Sequence, residues 1–229
     1  MIGRRKNKLR MLTLLVVGAL SITMTRAAMA VVAAPTMPAN QALKLLLEGN
    51  QRFVAGQLEH PNQTPDRRAE VAKGQHPFAS VLACSDSRTS PEIIFDRGLG
   101  DIFTVRVAGN VADKVVIESL DYSVKHLGVR TVMVLGHRRC GAVIAAVEGH
   151  EGTADQDVGP MLSELRPAVA ASKGEPGDPI ENAVRENVKL VVKNLATSGE
   201  LAAMVKSGEL KIVGGIYDLD TGTIQLLTN

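Results

Sequence analysis

The fold is decided by two short segments, Cys84-Ser85-Asp86-Ser87-Arg88 and Gly136-His137-Arg138-Arg139-Cys140-Gly141. Each follows a short apolar run, 78–83 before the first and 131–135 before the second. Both runs are rich in aliphatic residues and bounded by loop-forming residues, which predicts two buried strands. In an open α/β sheet, ligands bind beyond the carboxyl ends of parallel strands. We therefore expect the two segments to meet at one end of one sheet.

The two segments carry the donors that zinc takes from proteins, namely the thiols of Cys84 and Cys140 and the imidazole of His137. Three protein ligands with an open fourth position is the arrangement of a catalytic zinc site. A disulfide between these two cysteines, the only ones in the chain, is the alternative. The neighbouring His137 and Asp86 favour a metal, because a disulfide requires neither. A zinc finger does not fit, because 53 residues separate Cys84 from His137 and a fourth paired ligand is missing.

This ordered set of residues resembles the zinc signature of the β-class carbonic anhydrases. The resemblance is dense from Gln75 to Val147 and looser towards the C-terminus. It implies reversible hydration of carbon dioxide to bicarbonate and a proton by hydroxide on a zinc ion, with one Zn²⁺ per subunit. It also implies a homodimer or a higher multiple. The matching segments are Cys84-x-Asp86-x-Arg88, Pro91–Phe95, Gly98–Asp101, Arg106–Asn110 and His137-x-x-Cys140-Gly141.

The resemblance also implies a role for individual residues. Asp86 and Arg88 are close enough in sequence for a bidentate ion pair, in which Arg88 keeps Asp86 ionised and turned away from the metal. Asp86 would orient the attacking hydroxide, or become the fourth zinc ligand in a closed state. The metal ligands would be Cys84, His137 and Cys140, and the residues that line the substrate pocket would be Gln75, Phe103, Ala108, Tyr122 and Gly141.

Two positions depart from the family pattern. Arg138 stands where members often have a small or hydroxyl residue, which leaves the surroundings of the metal ligands undefined. Val81 stands where members with a regulatory bicarbonate site carry Trp, although Arg106 matches the arginine of that site. Two other functions stay open. One is hydrolysis of carbonyl sulfide or carbon disulfide with the same ligands, and the other is a non-catalytic homologue that binds zinc.

The first thirty residues have the layout of a cleavable signal peptide. Five Lys or Arg residues lie within 1–10, the apolar stretch 11–24 follows, and Ala28-Met29-Ala30 is a small-x-small cleavage site. The apolar stretch is shorter than the ~20 residues that span a bilayer, which disfavours the alternative of a membrane anchor. We therefore expect an exported protein, periplasmic or secreted, cleaved near Ala30 and not inserted in a membrane afterwards.

The remaining chain is acidic. The leader holds six of the 26 Lys and Arg residues and no acid, so the net charge changes from +2 to −4 on its removal. Aromatic residues make up 3% of the chain, and Trp is absent, so stacking on nucleobases is poorly served. No nucleic acid partner is expected.

The rest of the pattern predicts a linker over 31–39 and a single α/β catalytic domain over 40–229. Alternating strand and helix patterns favour a central, mostly parallel sheet with right-handed crossover helices. An N-terminal helical arm should begin at Asn40, as N-cap, and end at Ala55. Strands 210–217 and 223–227 should form a hairpin at the C-terminal edge. Further helices are expected at 65–74, 111–127, 141–147, 161–171 and 180–195, with a strand at 101–107.

Overall fold

Five strands form one sheet in a computed structural model that describes residues 36–149 and 159–227. The strand order is β2-β1-β3-β4-β5, with the first four strands parallel and β5 antiparallel to β4. This confirms the predicted α/β fold with a mostly parallel sheet and a C-terminal hairpin. The strands are β1 (Ala79–Ala83), β2 (Ile102–Arg106), β3 (Thr131–His137), β4 (Lys211–Tyr217) and β5 (Ile224–Leu227).

The described residues form eight α-helices and one 3₁₀ turn, Ala108–Asn110. All of them belong to the unit Ala33–Asn229. None of the described helices is long and apolar enough to cross a membrane. The predicted signal peptide and most of the predicted linker lie outside the described residues. The helices are α1 (Ala39–Ala55), α2 (Pro65–Val71), α3 (Pro91–Ile94), α4 (Lys114–His126), α5 (Gly141–Glu148), α6 (Gly159–Ala171), α7 (Pro179–Thr197) and α8 (Gly199–Ser207).

The central strands are buried on both faces. Every residue of β1 and β3 is buried, as expected of parallel strands covered by helices on both sides. Side chains alternate between the two faces of a strand, so Leu82 and Val134 join one core cluster while Val81 and Met133 join the other. The first cluster includes the apolar faces of α4 and α7, and the second includes that of α1. Helices thus enclose the strands that carry the cysteine and histidine segments.

The N-terminal helix departs from the prediction at its first residue. It begins at Ala39, and Pro38 takes the N-cap position without a side-chain hydrogen bond. The prediction that Asn40 is the N-cap is therefore wrong. The side-chain oxygen of Asn40 accepts a hydrogen bond from Nζ of Lys211 at 2.9 Å. This long-range contact uses the oxygen that would otherwise accept a backbone N–H in the first turn of the helix.

One helix boundary and one whole helix also differ from the prediction, each for a physical reason. Helix α4 begins at Lys114 rather than at 111, because the Asp113 carboxylate caps it by accepting the N–H of Val116 at 2.9 Å. Helix α8 was not predicted. Leu201 is its one buried residue, and the partly buried Met204 and Val205 complete a short apolar face at i, i+3 and i+4. The helix has nine residues, so its sequence contains only one such repeat and gives a weak periodic signal.

Helix α7 approaches the sheet closely because glycine faces it. A Cβ at Gly214 would lie 2.7 Å from Cγ1 of Val188, which is fully buried in α7. We expect Gly214→Ala to lower the free energy of unfolding by about 1–3 kcal/mol, the usual range for an overpacked core. Urea unfolding followed by circular dichroism measures this. The control is Gly159→Ala at the start of α6, where no described atom beyond the adjacent residues and the backbone of its own helix lies within 4 Å of the added Cβ. Equal midpoints for the two variants would contradict the close packing.

Candidate metal centre

The two segments meet at the carboxyl end of the sheet, as the sequence predicts. Strands β1 and β3 are neighbours in parallel register, with Ala83 paired to Leu135. Cys84 follows β1 directly, and His137 is the last residue of β3. Cys140 lies at the N-cap position of α5, one short loop further on. Strand pairing therefore brings Cys84 close to His137, although the two lie far apart in the sequence.

Three donor atoms converge at this point. The ligand atoms of Cys84, His137 and Cys140 all lie within 4.8 Å of one another, and all three residues are buried. The two Sγ atoms are 3.9 Å apart and both cysteines are free, whereas a disulfide requires about 2.05 Å. Two thiolates on a tetrahedral zinc, with bonds of about 2.3 Å, lie about 3.8 Å apart. The spacing of the sulfurs thus fits a shared zinc ion and not the alternative of a disulfide.

The imidazole of His137 is oriented for a metal. Its Nδ1 lies 2.9 Å from the carbonyl oxygen of Arg138, to which Nδ1–H donates. This bond leaves the lone pair on Nε2, which is buried and has no hydrogen-bond partner among the residues that the structure describes. A metal ligand with its other ring nitrogen held by a carbonyl is the usual state of histidine in zinc sites. The orphaned Nε2 therefore fits a zinc ion beside the two sulfurs.

The sulfur of Cys84 is prepared to carry negative charge. Its pKa is lowered to about 4, first by the hydrogen bond with Cys140, then by His137 and by the backbone N–H groups of Asp86 and Gly109. Those two N–H groups lie 3.4 Å and 3.3 Å from the sulfur. The pKa of Cys140 is raised, because this thiol holds the proton of the shared hydrogen bond and is buried. Thiolate is the form in which cysteine binds zinc.

Asp86 and Arg88 form the bidentate pair that the sequence predicts. The guanidinium Nε and Nη2 donate to the two carboxylate oxygens at 2.9 Å and 2.7 Å, and the backbone N–H of Arg88 donates to Oδ1 at 2.9 Å. The Arg88 side chain lowers the pKa of Asp86, which therefore stays ionised at neutral pH. Oδ2 of Asp86 is 3.8 Å from Nε2 of His137. An anionic acceptor thus lies beside the metal donors, held by Arg88.

Comparison with known proteins agrees with this geometry. Residues 79–224 match the profile of a family described as carbonic anhydrase. The chain belongs to the carbonic anhydrase family. It is 42% identical over 184 residues to carbonic anhydrase 2 of Mycobacterium tuberculosis, and the aligned region covers 79% of this chain and 89% of that protein. It is 38% identical over 188 residues to a carbonic anhydrase of Mycolicibacterium smegmatis, with coverages of 81% and 91%.

Solved structures assign this carbonic anhydrase to the β-class. It superposes on a Coccomyxa β-carbonic anhydrase in complex with acetazolamide with a TM-score of 0.66 and 28% identity, covering 82% of this chain and 86% of that one. A β-carbonic anhydrase of Aspergillus fumigatus gives a TM-score of 0.63 and 32% identity, with coverages of 81% and 90%. The predicted family, fold and enzyme class are thereby confirmed.

Two side chains outside the metal-binding motif hold the Cys84 loop of this carbonic anhydrase. Arg106 donates from Nε to the carbonyl of Cys84 at 3.1 Å and from Nη2 to that of Asp86 at 2.6 Å. The buried hydroxyl of Thr89 bonds the same two carbonyls, at 3.1 Å and 2.9 Å. Arg106 lies in a matching segment, but the sequence connected it only with a bicarbonate site. For Thr89 the sequence carries no signal beyond its position after the motif.

A 3₁₀ turn supports the site from the other side. Gly109 adopts φ +68°, a left-handed conformation that favours glycine, and a Cβ there would lie 3.1 Å from the side chain of Leu165. The buried side chain of Asn187 donates to the Gly109 carbonyl at 2.8 Å, and so holds the residue whose backbone N–H reaches Cys84. Ala108, a predicted pocket residue, precedes this glycine. Gly141, which is also a predicted pocket residue, is the first residue of α5, and the space beside its Cα is open.

The other predicted pocket residues lie elsewhere within the described part of one chain. Gln75 is exposed and precedes β1, the far end of which leads to Cys84. Phe103 is paired with Ser80 near the start of β1, four residues from Cys84 and so about 13 Å along the strand. Tyr122, on α4, has its ring centroid 6.2 Å from that of Phe103. Their assignment to a substrate pocket stays a prediction.

The Asp86–Arg88 pair makes a specific prediction. We expect Arg88→Ala to lower kcat by about 10–100-fold, the usual effect of removing a group that orients the surroundings of a metal. The freed carboxylate would no longer be held away from the metal position. Arg88→Lys should be more active than Arg88→Ala, because lysine restores the positive charge and one donor but cannot form the bidentate pair. Stopped-flow assay of hydration measures both variants, with Arg68→Ala on α2 as the control. Full activity of Arg88→Ala would contradict this role.

Proposed function

We propose that this carbonic anhydrase hydrates carbon dioxide reversibly to bicarbonate and a proton, with one Zn²⁺ per chain held by Cys84, His137 and Cys140. The observation that carries the proposal is the convergence on one buried point of two sulfurs and an imidazole nitrogen that has no hydrogen-bond partner within the described part of the chain. Two thiolates and a neutral imidazole match the charge and the softness of zinc. The ionised Asp86 beside them favours a catalytic over a structural metal site, because a structural metal needs no such neighbour.

Zinc supplies a Lewis acid that brings the pKa of bound water to about 7. The chain supplies the rest. The carboxylate of Asp86 accepts a hydrogen bond from the attacking oxygen and orients its lone pair, and it cannot take the proton because Arg88 keeps its pKa low. Arg106 and Thr89 fix the backbone of Asp86, so the acceptor is placed before substrate arrives. Placing an acceptor in advance removes reorganisation from the reaction step.

Removal of the metal tests the proposal directly. We expect the purified protein to contain one zinc per chain, to lose its hydration activity on treatment with a chelator, and to regain it on addition of Zn²⁺. Elemental analysis, a thiol count after unfolding, and stopped-flow kinetics measure these quantities. The thiol count should give two free thiols in the metal-free protein. Assays with carbonyl sulfide and carbon disulfide run beside it. Activity confined to those substrates, or full activity without metal, would overturn the proposal.

We also propose that two copies associate through the outer edge of β2. This strand pairs only with β1 among the described strands, and its residues are only partly buried. Leu99, which is 45% exposed, and Ile102 line a cavity of about 510 Å³ beside that edge. An unpaired edge with apolar neighbours favours a second chain. Association would also bring Phe103 and Tyr122 close to another copy, where they could line a substrate pocket of that copy.

A variant at this edge tests the association. Leu99→Glu should shift the protein from dimer or higher multiple to monomer, because it places a charge in an apolar contact. Sedimentation equilibrium measures the mass. Val54→Glu is the matched control, since Val54 is 44% exposed on α1 and lies beside Gly222, away from β2. A monomeric wild-type protein would contradict the proposed association.

Export is the remaining part of the proposal. The basic segment, the apolar stretch and the small-x-small site within 1–30 support cleavage near Ala30 and a periplasmic or secreted enzyme. N-terminal sequencing of the protein recovered from its source cells would test this, and an intact Met1 would contradict it.

A further inference from the structure

Two adjacent arginines separate two of the metal ligands. Arg138 and Arg139 form the whole connection between His137 and Cys140, and both are exposed. Arg139 has φ +52°, a left-handed conformation that residues with a side chain rarely adopt. Such a conformation persists only where the surroundings impose it. The surroundings of this loop therefore decide where the sulfur of Cys140 lies.

Arg138 joins the loop to two other parts of the fold. Its Nη1 lies 2.9 Å from Oδ2 of Asp218, in the turn that follows β4, and its Nε lies 3.4 Å from Oε2 of Glu181, in the first turn of α7. Its backbone N–H donates to the carbonyl of Tyr217 at 3.0 Å, which extends the pairing of β3 with β4 beyond the end of the strand. The carboxylates of Asp218 and Glu181 are about one-fifth exposed and the Arg138 side chain is half exposed, so water screens these pairs only in part.

The acid that Arg138 contacts is itself fixed. Oδ1 of Asp218 accepts the backbone N–H groups of Asp220 and Thr221 at 2.8 Å and 3.2 Å, which lowers the pKa of Asp218. Its own backbone N–H and carbonyl close the turn between β4 and β5 through Thr223 and Gly222. Oδ2 is left to face the guanidinium. The hairpin thus presents an ionised carboxylate in a fixed direction.

Arg139 is held by the same two elements. Its backbone N–H donates to Oε1 of Glu181 at 3.2 Å, and its Nη2 lies 2.8 Å from Oδ1 of Asp220. The two oxygens of Glu181 therefore bind consecutive residues of the loop. Helix α7 holds Glu181 rigidly, because Asp178 caps its first turn and Val184 and Val188 are buried against the sheet.

We propose that Arg138 and Arg139 are positioning residues, which fix the Cys140 loop against Glu181 of α7 and against Asp218 and Asp220 of the hairpin. The third metal donor is then in place before the ion binds. The inference rests on the proposed zinc function. It assigns a function to Arg138, which departs from the family pattern. It also makes the β4–β5 hairpin a support of the metal centre, although the hairpin provides no metal ligand.

Zinc affinity tests the inference, measured by competition with a chromophoric chelator on the full protein. Arg138→Ala should weaken zinc binding about 10–100-fold relative to the wild type, as expected when a neighbour that orients a ligand is removed. Asp218→Asn should weaken it in the same direction. The double variant should be no weaker than Arg138→Ala alone, because both changes remove the same ion pair. Losses that multiply in the double variant would overturn the proposed route.

Two further measurements separate positioning from stability. Lys189→Ala is the control, since it removes a cation paired with Glu186 on the same helix, and it should leave zinc affinity within about twofold of the wild type. The thermal midpoint of each zinc-free variant is recorded in parallel. A lowered midpoint with unchanged zinc affinity would overturn the inference. Absence of zinc binding by the wild type would overturn the proposed function instead, so the two failures are distinguishable.

Discussion

Parallel pairing of β1 with β3 is the constraint on which the site depends. Parallel strands end at the same edge, so a cysteine after one and a histidine at the end of the other are brought together without any dedicated contact. Helices on both faces bury these strands, and the donors at their ends are therefore buried too. Burial removes competing water and strengthens the interaction of sulfur and nitrogen with a cation. The core and the candidate metal centre are thus consequences of the same sheet.

The donors are held by a surrounding layer rather than by their own short loops. Arg106 and Thr89 donate hydrogen bonds to carbonyls of the Cys84 loop, and Asn187 donates to the carbonyl of Gly109, the residue whose N–H reaches the sulfur. On the other side, ion pairs to α7 and to the β4–β5 turn hold the loop before Cys140. Each loop therefore takes its shape from elements distant in sequence. Metal sites depend on such outer partners nearly as much as on their ligands.

Local patterns predicted the parts of the molecule in which a signal and its cause lie close together. The apolar runs before Cys84 and His137 indicated buried strands, and the Asp86-x-Arg88 spacing indicated a bidentate pair, which the structure contains. Prediction was wrong where a distant group intervened. Asn40 bonds Lys211 instead of capping its helix. Helix α8 was missed for another reason, because its nine residues contain only one apolar repeat, formed by Leu201, Met204 and Val205.

The sequence by itself determined the metal-binding chemistry, because donor types and their order along the chain do not depend on folding. It also determined the fold class, because alternating apolar strands and helices allow few arrangements. Only the tertiary structure decided the spacing of the two sulfurs and the partners of Arg106, Arg138 and Arg139. These depend on contacts between residues from 20 to 81 positions apart, and no local pattern encodes which distant carboxylate or carbonyl a guanidinium will meet.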